Sequence, residues 1–175
     1  MKQRDVLAEM LGLAADRLAV YGYLLTGSQH AGEDLVQDAI VKVFVRHRRL
    51  DGPRAAESYV RAAMRTMHVD RMRRETRWRS AVPQLVDRAE VPDASAAVAD
   101  RDQVGRALLL LAPQERAVVV LRFYDDLKVV DIAAQMQLAE GTVKRYLSNA
   151  LDKLAGVLGT LDDTTERIGL VERKK

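Results

Sequence analysis

Apolar residues recur along this chain at intervals of three and four. Leu7, Met10, Leu11, Ala14, Leu18, Tyr21 and Leu25 would form one face of a helix from about Val6 to Leu25. Thr26-Gly27-Ser28 interrupts that pattern. A second helix is expected from near Gly32 to about Arg48, with Glu33 and Asp34 in its first turn and Arg46, His47 and Arg48 in its last, an order that suits the helix dipole. Asp51-Gly52-Pro53 reads as a turn, and a third helix follows from about Ala55 to Arg79. Residues 81–100 change character: Pro83, Pro92, small residues and acids describe a linker. Beyond it, helices are expected over Asp102–Leu111, Gln114–Tyr124, Val129–Gln135 and Glu140–Leu158, with Pro113 suited to a first helical turn. No repeat and no strand pattern stands out. The expected fold is all-α, with two small helical domains over 1–80 and 101–160, a flexible acidic linker over 81–100 and a tail over 161–175.

Composition narrows the classes. Hydrophobic residues make up 48% of the chain, enough for globular folding, and 30% charge argues against a membrane protein. No run of about 18 uncharged apolar residues is present to span a bilayer. Met1-Lys2-Gln3-Arg4-Asp5 leads into a charged amphipathic segment, unlike a signal peptide. Cysteine is absent, which removes disulfides and thiolate metal sites, and His30, His47 and His68 are far apart without ligand-like neighbours. A cytoplasmic protein without metal or other cofactor is expected. The net charge of +3 is modest but unevenly spread. Residues 61–79 hold seven Arg against Asp70 and Glu75, whereas 81–100 hold one Arg against four acids. A basic helix followed by an acidic stretch suits a polyanion-binding module joined to a linker.

The most informative stretch is KVVDIAAQMQLAEGTVKRYLSNALDKL, Lys128 to Leu154. A helix-turn-helix needs small residues where its helices cross and apolar ones in the shared core. Ile132, Ala133, Met136, Leu138, Val143, Leu147 and Leu151 meet that need. The outward face of the second helix then presents Glu140, Thr142, Lys144, Arg145, Ser148 and Asn149, groups able to contact phosphates and base edges in the major groove. An ordinary helical hairpin with a solvated polar face is the plainer alternative.

Two further helices carry candidate chemistry. In the third, Val60, Ala63, Met67 and Val69 can face a core, while Arg61, Arg65, Arg71, Arg73 and Arg74 would face outward. Clustered Arg near aromatic rings suits single-stranded nucleic acid. Tyr59 and Trp78, each taken singly, are better explained as core anchors. In the second helix, Leu35, Ala39, Ile40 and Val43 should bury, leaving Asp34, Gln37 and Asp38 on one polar face. Acid/base catalysis needs carboxylates across a cleft, so a docking face for a basic or amide-rich partner is more economical. A solvated helix start is the alternative.

Taken together, these stretches resemble extracytoplasmic-function (group 4) RNA polymerase sigma factors over about Leu7 to Leu158. AGEDLVQDAIVKVF is similar to that family's region 2.2, SYVRAAMRTMHVDRMRR to regions 2.3–2.4, and LLLLAPQERAVVVLRFYDDLKVVDIAAQMQLAEGTVKRYLSNALDKL to regions 4.1–4.2. YLLTGSQHAGEDLVQDA and VVVLRFYDDL resemble an actinomycete-type subgroup. The resemblance implies a sigma-2-like and a sigma-4-like domain, core RNA polymerase as partner through the largest-subunit clamp and the flap of the second-largest subunit, and promoter DNA. It implies that Asp34, Gln37 and Asp38 dock on the clamp. By the same resemblance Arg61, Arg65, Thr66, Asp70, Arg71, Arg73 and Arg74 lie in the segment that opens and reads the −10 element. Glu140, Thr142, Lys144, Arg145, Ser148 and Asn149 lie on the helix that reads the −35 element. The linker would thread toward the polymerase active centre. Thr66 stands where relatives often have Asn, and Ser148 and Asn149 stand where more basic residues are frequent. A flexible linker between two sticky domains also admits an anti-sigma factor as partner, though no residue here encodes one.

A stand-alone helix-turn-helix regulator binding duplex DNA is the competing reading, and the acidic face and basic helix of residues 1–80 speak against it. For an enzyme, the chain lacks a nucleophile–base constellation, a metal cluster and a G-x-x-x-x-G-K phosphate loop.

Overall fold

A computed structural model of the chain describes residues 3–46, 50–81 and 103–165. These form α1 (Gln3–Thr26), α2 (Gln29–Arg46), α3 (Pro53–Ala81), α4 (Gln103–Leu109), α5 (Pro113–Val119), α6 (Val129–Met136) and α7 (Glu140–Thr165). The fold is all-α, with no strand among the described residues. Most of the linker expected over 81–100 lies outside the described residues, as does the tail beyond Thr165; α7 runs further than the expected Leu158.

Helices α1 and α2 meet at a corner set by four residues. Gly27 adopts φ 74°, a left-handed conformation that glycine takes without steric cost, and its N–H donates to Tyr23 O at 2.7 Å. Ser28 Oγ then accepts the Ala31 N–H at 3.3 Å, the arrangement of a serine N-cap. This cap starts α2 at Gln29, three residues before the expected Gly32. Glu33 and Asp34 therefore sit in the second turn, where the dipole has largely faded. Gly32 has a different task. A Cβ on Gly22 would stand 2.6 Å from Gly32 O, and one on Gly32 would stand 2.8 Å from Gly22 C. The α1 and α2 backbones touch there.

The stripe of α1 that buries is Val6, Met10, Ala14, Leu18, Tyr21 and Leu25. Leu11, expected on that face, is 38% exposed, because it lies one residue off the stripe. Ala39 and Val43 of α2 are buried, with Leu35 and Ile40 half-buried beside them. From α3 come Val60, Met64, Val69 and Met72. Side chains such as Leu18 and Leu25, withdrawn fully from water, each contribute about 1.5–3 kcal/mol.

The remaining helices build a second group. At the start of α5 the Glu115 carboxylate accepts the Ala112 N–H at 3.2 Å and a 2.7 Å contact from Lys153 Nζ on α7. Proline at the first position fixes the entry. The single helix expected over Gln114–Tyr124 divides: after Val119 the chain widens into a π-helical turn, Val120–Tyr124, with Asp125 N–H donating to Val120 O at 3.2 Å. Ile132, Ala133, Met136 and Val143 are buried as expected between α6 and α7. Leu151 is not, at 46% exposure; Ala150 turns inward in its place.

The two groups are packed on each other. Leu108, Leu111, Val119, Val120 and Ala150 join one apolar cluster with α1–α3, while Val69 and Met72 of α3 join the cluster of α5–α7. Polar groups cross the same seam. Arg116 of α5 is buried, and its Nη2 donates to Thr26 O at 2.9 Å, supplying the last carbonyls of α1 with a cation. The guanidinium lies directly over Gly27, where any Cβ would collide with it. Gln114 Nε2 donates to Thr76 Oγ1 at 3.1 Å. His68 is buried at the same place with its Nε2 unpartnered. Burial first, then the positive charges of Arg116 on α5 and Arg71 on α3, lower its pKa from the ordinary 6.5 to about 4. Asp34, Asp38, Asp70 and Arg74 line the adjoining cleft.

Gly22→Ala or Gly32→Ala should destabilise the chain by about 1–3 kcal/mol, since backbone cannot yield as a flexible side chain does; urea unfolding midpoints measure this. His68 should make stability depend on pH. Its folded pKa lies below its unfolded value, so the unfolded chain binds more protons between them. The neutral imidazole's contribution is complete above pH 6.5 and is lost as pH falls toward 4, by about 3 kcal/mol. His68→Gln should remove that component from urea unfolding measured across the window.

Candidate nucleic-acid and polymerase interface

The turn between α6 and α7 spans three residues, 137–139. Gln137 closes α6 at φ 53°, and the Leu138 N–H donates back to Ala133 O at 3.0 Å, so half-buried Leu138 points into the pair's core. With Val143 buried on one side of α7, Glu140, Lys144, Arg145, Ser148 and Asn149 are exposed and Thr142 is half-exposed. Residues 140, 144 and 148 rise along one ridge, with 145 and 149 beside it. The Arg145 guanidinium lies 5.7 Å from the Tyr146 ring centroid, which braces it along the helix. The structure thus brings together on one surface all six residues expected of a recognition helix.

Along α3 several arginines are already engaged. Arg73 Nη1 donates to Asp70 at 3.1 Å, and Arg71 Nε to Glu75 at 3.1 Å. Arg74 is exposed. Thr66 is exposed, but its Oγ1 lies 2.9 Å from Ala62 O; its proton is spent on its own helix, and its lone pairs face outward. Tyr59 and Trp78, expected as core anchors, are 48% and 58% exposed. The core of α3 is filled by Val60, Met64 and His68 on the opposite face, which leaves both rings at the surface. Arg61 and Arg65, expected to face outward, are drawn into the seam.

What draws them in is Asp125, the residue after the π-helical turn. Its side chain is 5% exposed. Tyr21 Oη donates to its Oδ2 at 2.6 Å, Arg61 Nη2 to Oδ1 at 3.1 Å, and Arg65 Nη1 stands 3.6 Å from Oδ2. Tyr21 and Tyr124 stack at 5.2 Å, with the Arg61 guanidinium 5.1 and 4.9 Å from the two ring centroids. Burial and the hydrogen bond to Asp125 raise the Tyr21 pKa, so the phenol remains a donor. Sequence reasoning missed Tyr21, Arg116 and Asp125 as functional groups. Tyr21 and Asp125 are separated by 104 residues, and no helical period reports such a pairing.

On α2, Asp34, Gln37 and Asp38 are exposed along one face, with His30 Nε2 3.7 Å from Asp34. Asp34, Asp38 and Lys42 share a cleft of about 310 Å³ with His68, Asp70, Arg71 and Arg74 of α3. The acidic face and the basic helix, read separately in the sequence, therefore border one another. Among the described residues no cluster of His, Asp and Glu could hold a metal ion, and no helix is long and apolar enough to cross a membrane.

Known proteins are similar to this chain. The family described as sigma-70, region 4 matches residues 101–154. The RNA polymerase sigma-E factor of Streptomyces antibioticus is 32% identical over 143 residues, covering 82% of this chain and 79% of that protein. The ECF RNA polymerase sigma factor SigL of Mycobacterium tuberculosis is 31% identical over 149 residues, covering 82% of this chain and 84% of SigL. Among solved structures, the sigma factor RpoE of Bartonella quintana, crystallised with the anti-sigma factor NepR, aligns with a TM-score of 0.52 at 21% identity, covering 87% of this chain and 96% of that one. With a helix-turn-helix of this geometry and relatives of this identity over four-fifths of its length, the chain belongs to the extracytoplasmic-function RNA polymerase sigma factors.

Proposed function

We propose that this protein binds core RNA polymerase in the cytoplasm and directs promoter-specific initiation of transcription, performing no covalent chemistry itself. The observation that carries the reading is the unobstructed outer face of α7, where Glu140, Thr142, Lys144, Arg145, Ser148 and Asn149 stand together behind a three-residue turn. A helix so presented fits the major groove, and its hydrogen-bonding groups suit base edges and phosphates of a −35 element. The arginines of α3 with Thr66 and Asp70 are assigned to the −10 element. The exposed rings of Tyr59 and Trp78 support contact with unstacked bases there. Asp34, Gln37 and Asp38 are assigned to the polymerase clamp, and residues 101–160 to the flap and −35 contacts. The same reading admits an anti-sigma factor as a further partner, supported by the anti-sigma factor bound to the structural neighbour.

Purified protein added to sigma-free bacterial core polymerase should yield promoter-specific transcripts; absence of core binding would sink the reading. Replacing Asp34 and Gln37 with Ala should weaken core affinity by about tenfold, which is about 1.4 kcal/mol, while circular dichroism and unfolding midpoint stay those of the parent. Unchanged affinity would remove both residues from the docking face.

A further inference from the structure

The seam between the two helical groups holds an anion site. Tyr21, Arg61 and Arg65 direct one hydroxyl and two guanidinium groups at one point, and Asp125 fills it. The site is larger than its occupant needs. Tyr21 and Arg61 make close hydrogen bonds to the carboxylate, but Arg65 stops at 3.6 Å and its Nε is buried without any partner. Glu57, held by Arg17, also feels the charge of Arg61, so what the site has to spare is a donor, the Arg65 Nε–H. A phosphodiester offers a comparable pair of anionic oxygens on a bulkier centre with further acceptors beside them, which would bring Arg65 into full hydrogen-bonding range. Arg61 and Arg65 belong to the helix assigned above to the −10 element. The group now filling the site arrives on the opposite half of the same chain.

We propose that Tyr21, Arg61 and Arg65 form an oxyanion cradle for a phosphate of the promoter DNA backbone, and that Asp125 occupies it as a built-in substitute in the free protein. This rests on the sigma-factor reading and deepens it, adding Tyr21 to the DNA site and giving Asp125 a regulatory role. In the closed form the carboxylate neutralises two arginines of the −10 helix and ties the helix-turn-helix group to it. Arg116 adds a second polar tie in the reverse sense, setting a cation from the helix-turn-helix group against the C-terminus of α1. DNA and Asp125 cannot occupy the cradle together. Binding of one excludes the other, and a ligand with differential affinity shifts the population toward the open form. Recognition of −10 DNA and separation of the two halves are then one event.

The chain has no cysteine, so Val41→Cys and Asp152→Cys, both at exposed positions in separate halves, admit a donor–acceptor dye pair on the full-length protein. In the doubly labelled parent, transfer should be high and should fall on adding a short single-stranded oligonucleotide of mixed sequence. Inorganic phosphate at matched ionic strength should leave it high. D125A should lower transfer without any ligand and bind the oligonucleotide about tenfold tighter, if the closed form holds nine-tenths of the parent molecules. D125N keeps the shape of the side chain and should act in the same direction, which guards against a folding defect in D125A. Adding R61A and R65A to D125A should leave the halves apart but abolish the gain in DNA affinity. Adding Y21F to D125A should reduce that gain in part.

Unchanged transfer in both Asp125 variants would overturn the closed form. Opening without tighter DNA binding, or a gain that survives R61A and R65A, would overturn the cradle as a phosphate site. Opening by inorganic phosphate alone would overturn its assignment to the DNA backbone. None of these measurements uses polymerase. A parent chain that fails to start transcripts with core would strike the sigma-factor reading and leave the latch result standing by itself.

Discussion

A charge taken out of water must meet an opposite charge or a full set of hydrogen bonds, because the penalty for leaving it bare is several kcal/mol. The arrangement of this protein depends on that constraint at Asp125. Its carboxylate is nearly withdrawn from solvent and, among the described residues, is satisfied by groups from α1 and α3, which belong to the other half of the chain. Separate the halves and the carboxylate regains water, while Arg61 and Arg65 regain theirs. The contact is therefore strong where geometry holds it and easily exchanged where another anion competes. The apolar residues that cross the same seam, Val69 and Met72 in one direction and Val119 and Val120 in the other, supply adhesion without direction. The charged groups fix which surfaces meet.

What was legible in the sequence follows from the range of the forces involved. Helical period and turn residues act over a few positions, so the seven helices among the described residues, the three-residue turn and the exposed outer face of α7 could be read from spacing alone. Boundaries depended on single side chains. Ser28 rather than Gly32 begins α2 because its hydroxyl can accept the Ala31 N–H, and Gly32 is small because another backbone lies against it. Neither fact is periodic. The exposure of Tyr59 and Trp78 escaped for a similar reason: an aromatic ring is usually a good core residue, but here Met64 and His68 already occupy the inward positions. The union of the halves was least legible. It joins groups about a hundred residues apart across a stretch whose composition suggested separation, and its decisive acid sits in a Tyr-Asp-Asp sequence that alone looks like an ordinary polar turn.

The same features explain a division of labour between rigid and exchangeable parts. Close backbone contact at Gly22 and Gly32 fixes α1 against α2 and presents Asp34, Gln37 and Asp38 on a firm platform. The helix-turn-helix is similarly firm, with Ile132 and Val143 removed from water and Lys153 bound to Glu115 beneath it. Between these two bodies lies a seam of one-to-one polar contacts. A protein that engages both a polymerase and promoter DNA benefits from stiff bodies and a middle that can change partners.

The π-helical turn at Val120–Tyr124 gives that middle a sensitivity to length. A π turn carries one residue more than the α-helix around it, and each residue of an α-helix advances the chain by about 100° around the axis. Excising a single residue there, with every side chain of the cradle and of α7 untouched, would swing Tyr124 and Asp125 away from α1 and α3. The coupling of the two halves is thus written in the register of the backbone as much as in the identity of any amino acid, and a one-codon deletion could separate what no conservative substitution would.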